Sequence, residues 1–204
     1  MLEKATALDK NKETFESIAI TMHNIGFVYE NLSKYDEALN FYQQSVKIKN
    51  KANPLNFATI GDTWHNMGNV YFNQTKYGDA IKCYEESLQM QNKAYPLNYE
   101  CLGITLHNIG NVYEKQTKYD DALNFYQKSA EMKHKASPLN YFSIGITLHN
   151  IGFVYKKQSK VIDSFISFQE SCEFFKKSYT WPNNSIYESA LEQIRILESC
   201  FFFE

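Results

Sequence analysis

No run of this 204-residue chain approaches the roughly 18 successive apolar residues of a membrane span. An excess of one charge is also missing. Lys and Arg number 21 against 23 Asp and Glu, and both signs are mixed along the length. That excludes the basic stripe of a nucleic-acid binder and the basic amphipathic helix of a membrane-surface binder. The start, Met1-Leu2-Glu3-Lys4-Ala5-Thr6, is polar and carries an acid, unlike a signal peptide, so a cytoplasmic protein is expected. Cysteine is scarce. The four, at 83, 101, 172 and 200, form no Cys-x-x-Cys pair, so neither a zinc knuckle nor a redox motif is supported. Cys83 stands where other repeats have Phe41 and Phe125, and Cys172 where they have Val46 and Leu88; both are expected to be small buried apolar residues in a reducing compartment. Asn-x-Ser/Thr triplets at Asn31, Asn73 and Asn183 are expected to be chance matches. There is no His-Glu-x-x-His, no Gly-rich phosphate loop and no Gly-x-Ser-x-Gly elbow, so no enzyme activity and no cofactor are expected.

What the chain has is a repeat. His-Asn-Ile/Met-Gly-x-Val-Tyr begins at His23, His65, His107 and His149, a spacing of 42 residues each time. A fixed period of this size marks stacked helix pairs, each burying its apolar face on its neighbours. The prolines, Pro54, Pro96, Pro138 and Pro182, fall in the links between units, and Asn56, Asn98 and Asn140 follow as N-caps. Within 99–140, Leu102, Leu106, Ile109, Val112 and Tyr113 make one apolar stripe of a first helix. Tyr119, Ala122, Leu123, Tyr126 and Ala130 make that of a second. Between them Thr117 with Asp120, like Ser33 with Asp36, has the spacing of a capping box; Gly78 and Ile162 lose it, which predicts looser turns there. Gly26, Gly68, Gly110 and Gly152 lie mid-helix, where Gly costs about 1 kcal/mol relative to Ala. Four such costs predict close approach by a neighbouring helix, with Tyr42, Tyr84, Tyr126 and Phe168 among the large residues filling the adjacent space.

This arrangement resembles the tetratricopeptide repeat. Gly110, Tyr113, Tyr119, Ala122, Tyr126 and Ser129 follow that family's order and spacing, and Trp64 occupies its early aromatic position. The 42-residue length and the Leu-His-Asn-Ile-Gly segment make it similar to the kinesin light chain subclass. It departs from that subclass in having His for the first Asn and Gly for Ala, and in lacking the Asp-His-Pro link. The resemblance implies an all-α fold: a right-handed α-solenoid of stacked antiparallel helix pairs with a C-terminal capping helix. The expected divisions are a remnant second helix over 1–12, repeats over 13–54, 55–96, 97–138 and 139–182, and a capping helix and tail over 183–204.

The repeated histidines are the one tempting metal feature. Successive units stand about 8–10 Å apart, whereas zinc needs each nitrogen at about 2 Å, so no metal site is expected. In tetratricopeptide arrays the first helices line a concave groove, and the resemblance places His23, His65, His107 and His149 and Asn24, Asn66, Asn108 and Asn150 there. An Asn amide can pair with both the N–H and the C=O of an extended peptide backbone. The same Asn row could instead bond repeat to repeat, and both readings stand on the sequence. Partner specificity is assigned to the positions that vary between repeats, including Phe27, Asn69, Asn111 and Phe153, then Glu30, Phe72, Glu114 and Lys156, with Lys115 adjacent. The expected function is a protein-interaction adaptor or scaffold whose groove takes an extended peptide or short helix. Two alternatives remain: self-assembly through residues 1–12 or the Phe201–Phe203 tail, and the substrate-recruiting portion of a larger enzyme.

Overall fold

The computed structural model describes residues 2–52, 55–178 and 185–201, with side chains from Phe15 to Ser199 within those ranges. Among them are nine helices: α1 (Leu2–Asn31), α2 (Tyr35–Lys49), α3 (Phe57–Asn73), α4 (Tyr77–Lys93), α5 (Tyr99–Lys115), α6 (Tyr119–Lys135), α7 (Tyr141–Lys157), α8 (Val161–Lys177) and α9 (Ser185–Phe201). They fall into two compact units, Met1–Asn98 and Tyr99–Glu204. In the first, α1 packs on α2, α2 on α3 and α3 on α4; in the second, each helix from α5 to α9 packs on the next. The fold is thus an all-α array of consecutive helix pairs. α1 runs unbroken through residues 2–12, the stretch assigned above to a remnant helix. The Phe201–Phe203 tail lies outside the residues with described side chains, as do Pro54, Pro182 and Cys200.

The apolar stripes close on each other as their spacing requires. Leu39, Tyr42 and Val46 of α2 pack with Met67 and Val70 of α3. Leu123 and Tyr126 of α6 pack with Ile151 and Val154 of α7. Tyr187, Ala190 and Leu197 of α9 cover Phe168, Cys172 and Phe175 of α8, so α9 caps the second unit. Cys83 and Cys172 are buried, as expected of small apolar residues, and burial pushes the Cys83 thiol up to about 12. The mid-helix glycines are explained by close approach. A Cβ on Gly68 would lie 2.5 Å from the Tyr84 ring, and one on Gly110 2.6 Å from that of Tyr126.

The turns between first and second helices differ from expectation. Ser33, Thr75, Thr117 and Ser159 take left-handed backbone with φ of 57–60°. Ser33 N–H donates to Glu30 O and Lys34 N–H to Tyr29 O, and the other three turns repeat this pair of bonds. That is a Schellman C-terminal motif, not a capping box. The N-cap residues of the second helices are Lys34, Lys76, Lys118 and Lys160, and none makes a side-chain cap bond. Since the backbone fixes the turn, those near Gly78 and Ile162 are no looser than the others. The Asn caps do form: Asn56 Oδ1 accepts from Thr59 N–H at 3.2 Å, and Asn140 Oδ1 from Ser143 N–H at 3.0 Å.

Candidate partner-binding surface

The repeated His and Asn meet a buried Thr and Lys in both units. In the first, Lys49 Nζ donates to Thr59 O at 2.8 Å and to Thr63 Oγ1 at 2.7 Å. Thr63 Oγ1 in turn donates to Thr59 O at 2.9 Å. A hydroxyl has one hydrogen and two acceptor sites. With the hydrogen spent on Thr59, the contact of His23 Nδ1 with Thr63 Oγ1 at 3.0 Å must be an Nδ1–H donation. His23 Nε2 is then the acceptor, facing Asn66 Nδ2 at 3.3 Å. The chain of bonds thus fixes a neutral imidazole as the Nδ1–H tautomer. The second unit repeats it. Lys133 Nζ donates to Ser143 O at 3.1 Å and to Thr147 Oγ1 at 2.8 Å, and Thr147 donates to Ser143 O. His107 Nδ1 lies 3.1 Å from Thr147 Oγ1 and Asn150 Nδ2 lies 3.3 Å from His107 Nε2.

Electrostatics agree with that inventory. Burial, then the charge of Lys49, lowers His23 to about 4; burial, then Lys133, lowers His107 to about 3. Burial also lowers His65 and His149 to about 4. The lysines are lowered to about 8 by burial, against the opposing pull of Asp62 and Glu16 on Lys49 and of Glu100 on Lys133. The His–Thr–Lys arrangement went unpredicted, although its signal is present. Thr21, Thr63, Thr105 and Thr147 keep the 42-residue period, and Lys49 and Lys133 occupy one register position, held in the other repeats by Gln91 and Phe175.

A family model described as tetratricopeptide repeat matches residues 59–135, and a second of the same description matches residues 18–55. The chain belongs to the tetratricopeptide repeat family. A comparison with curated proteins returns no match. Among solved structures, the chain is similar to BtubC (BKLC) from P. vanneervenii, with TM-score 0.75 and 12% identity over 97% of this chain and 83% of that one. A putative kinesin light chain of Podosopora anserina with nearly identical TPR-like repeats gives TM-score 0.69 and 13% identity over 90% and 86%. The apo form of RapI gives 0.74 and 18% over 92% of this chain and 49% of that one. At these identities the likeness is one of fold, and the fold is that of kinesin-light-chain-like repeats. Membership in the family makes the chain, in general terms, a protein-interaction scaffold on a fold that is generally not catalytic. No described helix is long and apolar enough to cross a membrane, and no group of three potential metal ligands occurs among the described residues.

The tetratricopeptide array places the remaining predicted residues as follows. Asn24 is exposed, while Asn66, Asn108 and Asn150 are half-buried. His107 and His149 are buried; His149 Nε2 meets Ser189 Oγ at 3.3 Å, and the rings of His65 and Tyr84 are 5.5 Å apart. The variable positions gather around buried tyrosine hydroxyls. Tyr42 OH donates to Glu30, Tyr84 OH to Asn69 Oδ1, and Tyr126 OH approaches both Asn111 Oδ1 and Glu114 Oε2 at 2.7 Å. Burial, reinforced by Glu30 and Glu114, raises Tyr42 and Tyr126 well above the ordinary phenol range, so both remain protonated donors. Asn150 Nδ2 also reaches Asn111 Oδ1, and Asn111 Nδ2 reaches Asn108 Oδ1. Phe27 and Lys115 are exposed, and Phe72 and Phe153 half-buried. Lys156 is exposed and donates to Gln193 Oε1.

Proposed function

We propose that the surface carried by the first helices, α1 and α3 in one unit and α5 and α7 in the other, binds an extended peptide or short helix of a partner protein. Asn24, Asn66, Asn108 and Asn150 supply backbone contacts, and the variable positions supply selectivity. The supporting observation is preorganisation. Glu30 and Asn69 are each anchored by a buried tyrosine hydroxyl, and the single Tyr126 O–H lies between Asn111 and Glu114, so these acceptors are held in place before a partner arrives. The bonds of Asn66 and Asn150 to the preceding histidines hold both amides in one orientation. Exposed lysines 115, 156 and 157 give the second unit a basic flank that suits an acidic segment, and half-buried Phe153 beside them suits an aromatic anchor.

The test is a peptide selected from a random display library on the intact chain, measured by fluorescence anisotropy. Asn24→Ala and Lys156→Ala leave the fold intact because both side chains are exposed. At least one should weaken the selected peptide about tenfold. Asn66→Ala should weaken it with a smaller change in melting than in binding. Unchanged affinity in all three variants, or an Asn66→Ala effect wholly explained by unfolding, overturns the reading.

A further inference from the structure

The α2–α3 and α6–α7 pairs show what covers a first helix. On α3 and its C-cap, Thr63, Met67, Val70 and Gln74 meet α2, and on α7 and its C-cap, Thr147, Ile151, Val154 and Gln158 meet α6; Ile60 and Ile144, one turn before each Thr, are buried too. α1 carries the same strip one period earlier: Ile18, Thr21, Ile25, Val28 and Leu32. There it is open. Val28 is 54% exposed, whereas Val70 and Val154 are 0%; Ile18 is 39% exposed, whereas Ile60 is 1%. Thr21 is exposed, whereas Thr63 and Thr147 are fully buried.

The open strip keeps a polar feature of the covered ones. Thr21 Oγ1 donates to Ser17 O at 2.8 Å, as Thr63 does to Thr59 O and Thr147 to Ser143 O. In the covered junctions this carbonyl–hydroxyl pair receives the Lys49 or Lys133 ammonium. On α1 the same two acceptors are set for an ammonium, beside exposed apolar side chains. One position is altered. Gln74 donates to Asp36 and Gln158 to Asp120, but Leu32, 60% exposed, holds that place on α1 and can donate nothing. The covering helix must therefore be apolar where α2 and α6 have Asp.

We propose that this face of α1 is a docking site for an amphipathic helix of a separate polypeptide. That helix carries an apolar residue opposite Leu32 and, by the pattern of α2 and α6, a lysine eleven positions after the Ala of an Ala-Leu-x-x-Tyr segment, seated on Thr21 Oγ1 and Ser17 O. In a folded second copy α2, α6 and α8 are each already covered by the helix that follows. An ordinary in-chain junction is not the source either. The link that leads from α2 into α3 spans residues 50–56, and the matching positions of α1, 8–14, are helical. The strip shares α1 with the peptide surface proposed above but uses other residues, so Val28→Glu and Asn24→Ala test the two readings separately.

The probe is a fluorescein-labelled peptide of the α6 sequence, residues 119–135, with Asp120→Leu, titrated with the full chain and read by anisotropy. Saturable binding is expected, at least tenfold weaker for Val28→Glu protein. Thr21→Val should weaken the lysine peptide about fivefold and leave a Lys133→Met peptide unchanged. Absence of binding overturns the proposal, as does binding indifferent to Val28→Glu. Equal effects of Thr21→Val on both peptides remove the lysine seat. Sedimentation of the chain alone decides the remaining case: a dimer abolished by Val28→Glu means that a second copy covers the strip, and the proposal is wrong.

Discussion

Acid should loosen the stack through its histidines before the carboxylates titrate. His107 titrates near its ordinary 6.5 in the unfolded chain but is held at about 3 in the fold, by burial first and by Lys133 second. The neutral imidazole is the form the fold accepts. Its Nε2 must accept from Asn150, and a proton there would face an N–H. Above pH 6.5 both states leave the ring neutral and stability is complete; as pH falls below 6.5 the unfolded chain takes the proton first and stability declines. At pH 5, about 1.5 units below the unfolded value, the loss is about 2 kcal/mol for His107. His23, His65 and His149 move the same way, and for the partly open ones screening by solvent reduces the loss to about 1 kcal/mol or less each. The sum, roughly 4 kcal/mol, is a large part of the 5–15 kcal/mol of a typical domain. Lys49 and Lys133, held at about 8, are charged throughout pH 5–7 and contribute little there. Glu30 and Asp62, raised by burial, partly offset the loss in the first unit, so the sharp readout is a variant in the second. Urea unfolding followed by helical circular dichroism at pH 7.5 and pH 5 should show His107→Gln less stable than the parent at pH 7.5, with that gap narrowing by about 2 kcal/mol at pH 5. A gap independent of pH would refute the assignment of a buried neutral His107.

Two pairs of substitutions test the packing and the turns. Gly110→Ala should destabilise by about 2 kcal/mol, because the clash with the Tyr126 ring outweighs the gain in helix propensity. Gly78→Ala, with nothing within 4 Å of the new methyl, should stabilise by up to about 1 kcal/mol; both are read as shifts in urea midpoint. Thr75→Gly and Thr117→Gly relieve left-handed backbone at a β-branched residue and should each raise stability by about 1 kcal/mol in the same assay, which a capping role for either hydroxyl would reverse.

Helix placement was legible because several signals agree in every repeat: the apolar period, the Pro-containing links, and Asn56 and Asn140 at helix starts. The glycine contacts were legible because a mid-helix Gly repeated four times needs a steric reason, and the tyrosine rings supply it. The turns were misread because a Ser or Thr between two helices fits the end of the first as well as the start of the second, and all four turns form alike whether or not an Asp follows. The capping box and the Schellman turn place the same Thr117 either inside the start of one helix or just past the end of the other. Only the backbone, through Thr117 N–H to Glu114 O and Lys118 N–H to Tyr113 O, decides between them.

The His-Asn row was ambiguous for a deeper reason. Identity in every repeat says that a residue is kept four times over, and a stacking bond and a ligand contact both satisfy that. What separates them is exposure, which depends on the neighbouring repeat. Thr21 and Thr63 are the same residue at the same register, yet one is exposed and the other fully buried beneath Lys49. The bonding capacity of a repeated side chain is therefore fixed by sequence, while its availability is fixed by what stacks beside it. By that rule the bonds of Asn66 and Asn150 to the preceding histidines reduce what their amides can offer a ligand. Asn24, exposed on α1, is the member of the row best able to offer both amide N–H and carbonyl to a peptide.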